Sequence, residues 1–463
     1  MYPIIALSIT GLITLFLGFS AKSKQLLLPS VIAFLSIAFA VNFIDWNAPG
    51  LYFSEMVKVD NFNLSFTAIL IATAILIVCL SDTFKNIEYA HPAEYFAIIQ
   101  FSLVGAIMMV TFQNLIMLFL GIEILSVSMY VLTGADKRNI RGNEAAIKYF
   151  LMGAFATGIF LFGVAMIYGG TGSFDITTIA SYISINALKS NFLLIGITFL
   201  MIGLLFKVSA APFHWWTADV YEGAPTIFTT YMSTIVKTAG FVAIFKMASQ
   251  ALAGIGDFMT PMLIIMIVSS LLIGNIAAAM QASFKRMLAF SSISHAGYML
   301  LPILGLNEMT GQTLIFYSIA YSFATISAFG VLMVVSKEDY VNGRPNEQIS
   351  VFDGLFKRNS FLAVVLIIAL LSLAGIPLTA GFWGKFFAFQ DIGTGKYMWV
   401  LIFAIVSSAV GILYYFKPIL ASFKQTEASP SIHLKPIFKI IFIITTIGTL
   451  AFGIFPDLAK ILF

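Results

Sequence analysis

The sequence is poor in charge, cysteine and histidine. Only 10% of its 463 residues are charged and 60% are apolar, whereas a soluble globular protein has about 25% charged residues. The single cysteine, Cys79, cannot form an internal disulfide or hold an iron–sulfur cluster. The four histidines include no close pair at the helical spacing that haem or zinc would favour. These shortages exclude a soluble enzyme and argue against redox or metal chemistry in this chain. The net charge of +4 is spread over short loops and does not indicate nucleic acid.

Long apolar runs take up most of the chain. A membrane-spanning helix needs about 20 apolar residues, and such runs recur along the sequence, separated by polar residues or by Gly and Pro. They predict an all-α polytopic membrane protein with fourteen transmembrane helices. The predicted helices 1 to 14 lie at 3–20, 27–44, 63–83, 94–111, 114–133, 144–168, 190–221, 225–248, 258–281, 286–304, 311–335, 359–390, 397–417 and 437–455.

Two of these helices are too long for one straight span. Helix 7 (190–221) contains Pro212 and helix 12 (359–390) contains Pro377, each close to small residues. Proline removes a backbone donor and clashes with the preceding turn. We therefore predict that helices 7 and 12 are discontinuous.

An internal repeat relates helix 5 to helix 10 and helix 7 to helix 12. Residues 123–132 align with residues 291–300, at nearly the offset that separates Pro212 from Pro377. Five helices separate the copies, so the copies are expected to insert with opposite orientation. Inverted repeats with broken helices are typical of transporters. The predicted organisation is helices 1–3, a first repeat, a second repeat and a C-terminal helix 14, at residues 1–93, 94–248, 249–417 and 418–463.

The Lys and Arg residues outside the helices predict the orientation. Most of them lie in the odd-numbered loops or at their flanks, and cytoplasmic loops carry this excess in membrane proteins. We therefore expect the odd-numbered loops to face the cytoplasm and both termini to face the other side. The longest of these loops, 336–358, carries charges of both signs and is predicted to be a solvated connection.

Four charged residues lie well inside predicted helices: Glu123 in helix 5, Lys207 in helix 7, Lys237 in helix 8 and Lys385 in helix 12. A charge at a helix centre costs about 2.5–3.5 kcal/mol on insertion scales, so such residues are candidates for function. A desolvated lysine exchanges protons readily, and three in series can pass a proton through intervening water. Glu123 and Lys207 would form a tunable pair if helices 5 and 7 touch. The alternative is that all four form buried ion pairs or contact partner subunits.

Five further polar residues are candidates beside these. His214 follows the first break and His295 lies in helix 10; each is either a neutral relay between lysines or a hydrogen-bonded structural histidine. Lys148, near the cytoplasmic end of helix 6, belongs to an input path or simply snorkels. Asp219 and Glu222 end helix 7 at the same face, where they collect protons or merely cap and pair.

Four stretches carry a family resemblance that covers essentially the whole chain: 121–123, 206–226 with its Asp-Val-Tyr-Glu-Gly-Ala-Pro run, 284–298 and 373–386. Together they resemble the antiporter-like membrane subunits of respiratory complex I, the NADH–quinone oxidoreductase. The resemblance implies fourteen helices in two inverted five-helix repeats, and proton translocation driven by quinone reduction elsewhere in the complex.

The resemblance also implies roles for individual residues. Glu123 and Lys207 match a glutamate–lysine pair, Lys237 a central lysine and Lys385 the residue on the outward path, with His295 between the last two. NADH, FMN, iron–sulfur clusters and quinone then belong to partner subunits, and this chain holds no cofactor. The implied partners are the antiporter-like subunit M, small subunits such as K and J, and the lipid of the bacterial cytoplasmic (inner) membrane.

Three other functions stay open at this stage. A subunit of a multisubunit Na⁺/H⁺ antiporter shares the lysine set and exchanges ions without a redox partner. A membrane subunit of an energy-converting hydrogenase is the second, and a structural scaffold with inert charge pairs is the third. The main prediction is a non-redox subunit of a proton-translocating NADH:quinone reductase, which moves protons from the cytoplasm outward.

Overall fold

The computed structural model describes residues 1–19, 26–81, 92–186, 190–341, 344–393, 395–425 and 431–458. In these residues the chain is almost entirely α-helical. The helices, in chain order, are α1 (Tyr2–Leu17), α2 (Leu27–Val41), α3 (Asn61–Cys79), α4 (Pro92–Thr111), α5 (Leu115–Thr133), α6 (Ile140–Thr171), α7 (Ile176–Asn186), α8 (Asn191–Lys207), α9 (Thr217–Gly223), α10 (Thr226–Tyr231), α11 (Lys237–Lys246), α12 (Gly256–Ala279), α13 (Phe284–Gly305), α14 (Thr310–Val335), α15 (Leu355–Arg358), α16 (Ser360–Ala374), α17 (Ala380–Ile392), α18 (Met398–Ser422) and α19 (Pro436–Ile454).

Several short elements go beyond the sequence prediction. Two antiparallel hairpins lie between helices, formed by β1 (Gly50–Tyr52) with β2 (Val57–Val59) and by β3 (Tyr340–Val341) with β4 (Arg344–Pro345). Helix α7 was also unpredicted, because its run of Thr, Ser and Ile is too short and polar to stand out as a span. These elements sit in connections and leave the helical architecture unchanged.

Ten helical segments among the described residues are long and apolar enough to cross a membrane. The segment 226–251 is one of them and is composite: π-helical turns at Met232–Val236 and Met247–Ala251 flank α11. The shorter apolar helices α1, α2, α8 and α16 coincide with predicted helices 1, 2, 7 and 12. The prediction of a helical, multi-pass membrane protein is confirmed at this level.

The helices form an inner group and an outer group. The most apolar 18-residue stretch of the composite segment 226–251 is fully buried, and those of α13 and α14 are nearly so. In contrast, α6, α18 and α19 leave most of their length unburied and expose large apolar side chains such as Phe155 and Leu413. Lipid tails are as apolar as leucine, so such faces need no protein partner. The polar residues of the inner helices are therefore shielded from lipid by the outer ones.

Both long predicted helices are interrupted near their prolines. Helix α8 ends at Lys207 and α9 begins at Thr217, while α16 ends at Ala374 and α17 begins at Ala380. Left-handed backbone conformations turn the chain at both places, at Ser209 (φ 61°), Gly375 (φ 82°) and Leu378 (φ 71°). Such conformations are uncommon for residues other than glycine and are concentrated at functional sites.

Polar contacts hold the first break in place. The Ala211 N–H donates to the Ser270 hydroxyl of α12 at 2.8 Å, and the Ser269 hydroxyl donates to the Ala211 carbonyl at 2.7 Å. The indole N–H of Trp216 donates to the carbonyl of Phe206 at 3.3 Å. Irregular backbone at membrane depth is tolerated only where protein or water satisfies its polar groups, and α12 does this here.

The prediction that 336–358 is a solvated connection is wrong for part of it. Phe352 is buried and packs edge-on against Phe284 with ring centroids 4.7 Å apart. The Phe284 N–H also donates to the carbonyl of Glu347 at 2.8 Å. The mixed charges at the start of this loop obscure three apolar residues, Val351, Phe352 and Leu355, which are buried. Of these, Phe352 packs against the first turn of α13.

Candidate proton relay

Lys207 ends the first half of the broken helix and lines a cavity between α5, α6 and α8. Its side chain is 5% exposed. Its ammonium donates to the hydroxyl of Ser126, which in turn donates to the carbonyl of Ile122. The cavity is small and is also lined by Tyr130 and Thr157. A buried ammonium thus meets a hydroxyl beside a cavity of about the smallest size that holds a water.

No ion pair joins Glu123 to Lys207 within the described chain, although the sequence prediction pairs them. Ser126 lies one turn after Glu123 on α5, and its hydroxyl takes the hydrogen bond from Lys207. Glu123 still lies within range of charge interaction with Lys207. Its Oε1 atom is buried and has no hydrogen-bond partner. The carboxylate and the ammonium are therefore coupled electrostatically, with a hydroxyl beside them and an acceptor oxygen left free.

Lys237 is the first residue of α11, directly after a π-helical turn. Its side chain is 2% exposed, and its ammonium donates to the backbone carbonyl of Ser292 in α13. None of the ion pairs in the described residues involves Lys237. Burying an ammonium without a counter-ion is costly, and π-turns inside helices are frequent at functional sites. Lys237 is thus the least compensated charge in the inner group of helices.

Lys385, in α17, contacts the end of α16 across the break in the second long helix. Its ammonium donates to the carbonyl of Ala374 at 2.8 Å and to the hydroxyl of Ser408 at 3.1 Å. Ala374 is the last residue of α16, so the cation sits at the negative end of a half-helix. The ammonium also lies 4.7 Å from the ring centre of Tyr298, a cation–π contact. Lys385 is 5% exposed, so these contacts replace water around its charge.

His295 lies between two tyrosine hydroxyls, near Lys237 and Lys385. Its Nδ1 atom lies 2.7 Å from the hydroxyl of Tyr317 in α14, and its Nε2 atom lies 3.1 Å from the hydroxyl of Tyr415 in α18. The ring is within charge-interaction range of both Lys237 and Lys385. A small cavity adjoins the ring and Tyr317. An imidazole held between two hydroxyls can accept a proton on one nitrogen and release one from the other.

His214 lies apart from this series. It follows Pro212 in the first break, where its ring stacks on Trp215 with centroids 5.1 Å apart. Its Nδ1 atom is buried without a hydrogen-bond partner. No hydrogen bond or ion pair of the described residues links His214 to the three lysines, so the structure does not place it between them.

The three candidates for an input path belong to one charged cluster. Lys148 pairs with Glu144 at 2.7 Å and with Asp219 at 3.0 Å. Arg286, from the start of α13, pairs with Asp219 and Glu222, both at 2.8 Å. The sequence does not reveal these ion pairs, because Arg286 is distant in sequence from both carboxylates. Both carboxylates are in ion pairs, as in the alternative that they cap and pair without collecting protons. The cluster lies at one end of the inner group of helices.

Sequence reasoning missed several polar residues of the interior. Lys246 counts as a helix-end base in the sequence, yet it is 1% exposed. Its ammonium donates to the carbonyls of Val110 and Phe112 at 3.0 and 2.6 Å and so satisfies the end of α4. The hydroxyls of Tyr317 and Tyr415 give no signal in a hydropathy scan. Only their approach to His295 in three dimensions reveals them.

Known proteins are similar to this chain in sequence and in fold. The model of the family described as NADH:quinone oxidoreductase/Mrp antiporter matches residues 113–411. NADH-quinone oxidoreductase subunit N of Flavobacterium psychrophilum is 38% identical over 99% of both chains. A chain of respiratory complex I from Thermus thermophilus superposes with a TM-score of 0.82 at 31% identity over 98% of both chains. A chain of the Mrp complex from Dietzia sp. DQ12-45-1b has a TM-score of 0.88 at 18% identity, over 99% of this chain and 95% of that one, which shows a common fold.

The matched family model covers more than half of the chain, and the interior lysines lie within it. The chain therefore belongs to the NADH:quinone oxidoreductase/Mrp antiporter family of membrane proteins. Within that family it belongs to the subunit N group of the NADH-quinone oxidoreductases.

Proposed function

We infer that the chain is a proton-translocating membrane subunit of an NADH–quinone oxidoreductase, in which quinone reduction elsewhere in the complex drives the protons. The observation that carries this proposal is His295, held between two tyrosine hydroxyls and within charge range of Lys237 and Lys385. Similarity to subunit N supports the assignment to the redox-driven complex.

The proposed path runs through the interior helices. A proton enters near Glu123 and Lys207, where the cavity beside Ser126 provides room for water. It passes to Lys237, since α8 packs against α11. From Lys237 it moves by way of His295 to Lys385. Each lysine binds a proton as an ammonium and releases it as an amine, so the sequence of transfers is balanced with one proton taken up and one released.

The redox chemistry is proposed to lie outside this chain. Within the described residues there is no group of three or more His, Cys, Asp or Glu side chains that could hold a metal ion. NADH, FMN, the iron–sulfur clusters and quinone would be bound by partner subunits. This subunit then contributes charge movement to the enzyme and no electron transfer.

The finer organisation is part of the same proposal. The fourteen-helix topology would comprise helices 1–3 (1–93), two inverted repeats (94–248 and 249–417) and a last helix (418–463). Both termini would face the periplasm, and the cluster around Arg286 would face the cytoplasm. The neighbours would be the antiporter-like subunit M and small subunits such as K and J, in the bacterial inner membrane.

A Na⁺/H⁺ antiporter subunit is the second candidate, because the chain also shares its fold with a chain of the Mrp complex. The test is to isolate a tagged form of the chain with its partners from native membranes and to reconstitute the complex in vesicles. The proposal predicts co-isolated flavin and iron–sulfur subunits and lumen acidification driven by NADH and quinone. Ion exchange without a redox partner would favour the antiporter, and co-isolated hydrogenase subunits would point to an energy-converting hydrogenase.

A further inference from the structure

Asp391 is a buried carboxylate that the relay described above does not use. It lies six positions after Lys385, in the last turn of α17, which places it roughly 9 Å further along the helix axis at 1.5 Å per residue. Its side chain is 9% exposed. The next residues, Ile392 and Gly393, end the helix, and Gly393 is exposed. Asp391 therefore stands between the buried Lys385 and the aqueous phase at the end of α17.

The surroundings of Asp391 leave one of its oxygens free. Oδ1 accepts a hydrogen bond from the Asn307 side-chain amide at 3.2 Å, and the Thr313 side chain also faces the carboxyl group, whereas Oδ2 is buried and has no hydrogen-bond partner. No ion pair in the described part of the chain involves Asp391. The nearby Lys396 pairs instead with the exposed Asp257, at 3.4 Å. Burying an ionised carboxylate costs free energy when it has no counter-ion and one of its oxygens has no hydrogen bond. Protonation of Oδ2 neutralises the group and removes that cost.

The end of α17 is docked closely against the end of α13. A Cβ atom on Gly305, the last residue of α13, would lie 2.2 Å from the Asp391 carbonyl oxygen. The Asn307 amide also donates to that carbonyl at 3.3 Å. These backbone contacts position α17 without help from Oδ2. The free oxygen is thus not needed to hold the helix end.

We propose that Asp391 is the outward-side proton acceptor of this chain, receiving the proton that Lys385 releases. The step is an exchange through intervening water: the Lys385 ammonium becomes an amine, the Asp391 carboxylate becomes a carboxylic acid, and the acid then releases its proton to the outer aqueous phase. The proposal rests on the proton-translocating function inferred above, and it adds the group at which the proton leaves the protein.

Asp391→Asn is the direct test in the reconstituted complex. The amide keeps the shape of the side chain and an oxygen for the Asn307 bond, but it cannot take up the proton. We expect the initial rate of NADH-driven lumen acidification, per amount of assembled complex, to fall about tenfold or more, since a positioned acid–base group contributes about 10²–10⁴-fold. Asp391→Glu should restore most of the rate. Asp257→Asn, which changes an exposed carboxylate at the same side, should leave it unchanged.

The outcomes separate this proposal from the one it rests on. If Lys385→Met stops acidification while Asp391→Asn pumps within twofold of the unmodified complex, the relay stands and the role of Asp391 is refuted. If Lys385→Met also pumps normally, the proposed function itself fails. If Asp391→Asn and Asn307→Ala both prevent assembly, as judged on a native gel, the carboxylate has a structural role in holding the helix end. That result also overturns the proposal.

Discussion

Removing a single hydroxyl next to His295 tests whether the imidazole conducts protons. The Tyr415 hydroxyl lies 3.1 Å from His295 Nε2 and is also hydrogen-bonded to the Ser291 hydroxyl. Tyr415→Phe removes both contacts and leaves the ring packing intact. The neighbouring Tyr414 offers a matched control, because it is equally buried on α18, its hydroxyl donates to Asn275 Oδ1 at 3.2 Å, and no hydrogen bond of the described residues joins it to His295.

The two variants should both lower stability and differ in transport. Tyr415→Phe leaves two buried polar partners short of a hydrogen bond and Tyr414→Phe leaves one, and each such loss destabilises the fold by about 1–3 kcal/mol. Only Tyr415→Phe interrupts the series from Lys237 through His295. Acid–base groups contribute about 10²–10⁴-fold, and a water in the vacated space recovers part of this. We therefore expect proton pumping to fall about 10- to 100-fold in Tyr415→Phe and less than about twofold in Tyr414→Phe.

The assay is the initial rate of lumen acidification in vesicles that contain the assembled complex, with NADH oxidation measured alongside. Assembly on native gels and thermal unfolding give the stability comparison between the two variants. Equal pumping by Tyr415→Phe and Tyr414→Phe, at equal assembly, would refute the role of His295 as a relay. It would leave the histidine as a structural partner of its two tyrosines.

Two further predictions concern the break and the charged cluster. Gly381→Ala should prevent assembly, because the new Cβ would lie 1.8 Å from the Ser372 carbonyl oxygen of α16; normal amounts of complex on a native gel would contradict the described docking of α17. Arg286→Ala removes the ion pairs that join α13 to Asp219 and Glu222. Both carboxylates are partly exposed, and such pairs contribute about 0–1 kcal/mol each. We expect a small decrease in thermal stability, and high salt should cause a similar decrease in the unmodified complex. If salt does not change the difference in thermal stability between the two, the ion pairs are not screened by solvent and the prediction is contradicted.

The features that could be predicted from the sequence are those in which one residue departs from the composition or the helical conformation expected around it. A lysine inside an apolar run and a proline inside a long helix stand out against the lipid-like composition around them, so Lys207, Lys385 and the two breaks could be located without coordinates. Their partners are of a different kind. Ser126 and Tyr415 are ordinary in an apolar helix, and only packing between distant helices brings their hydroxyls to the charged groups.

The differences between prediction and structure have the same physical origin. Glu123 and Lys207 were expected to form a tunable pair if helices 5 and 7 touch; they are coupled electrostatically, but Ser126 on α5 takes the hydrogen bond from Lys207. The pairing of Asp219 with Arg286 was not predicted, because Arg286 is remote in sequence and close in space. Single-sequence reasoning finds costly groups and cannot say which other group compensates them.

The most direct test of the account is Lys237→Met, which removes the least compensated interior charge and conserves side-chain volume. Lys246→Met is the matched control, because Lys246 is equally buried on the same composite helix but donates to the carbonyls at the end of α4. The account predicts that the Lys237 variant assembles and loses coupled proton pumping, with NADH:quinone reduction slowed or uncoupled, while the Lys246 variant, once assembled, still pumps. Normal coupled pumping by Lys237→Met would contradict the relay.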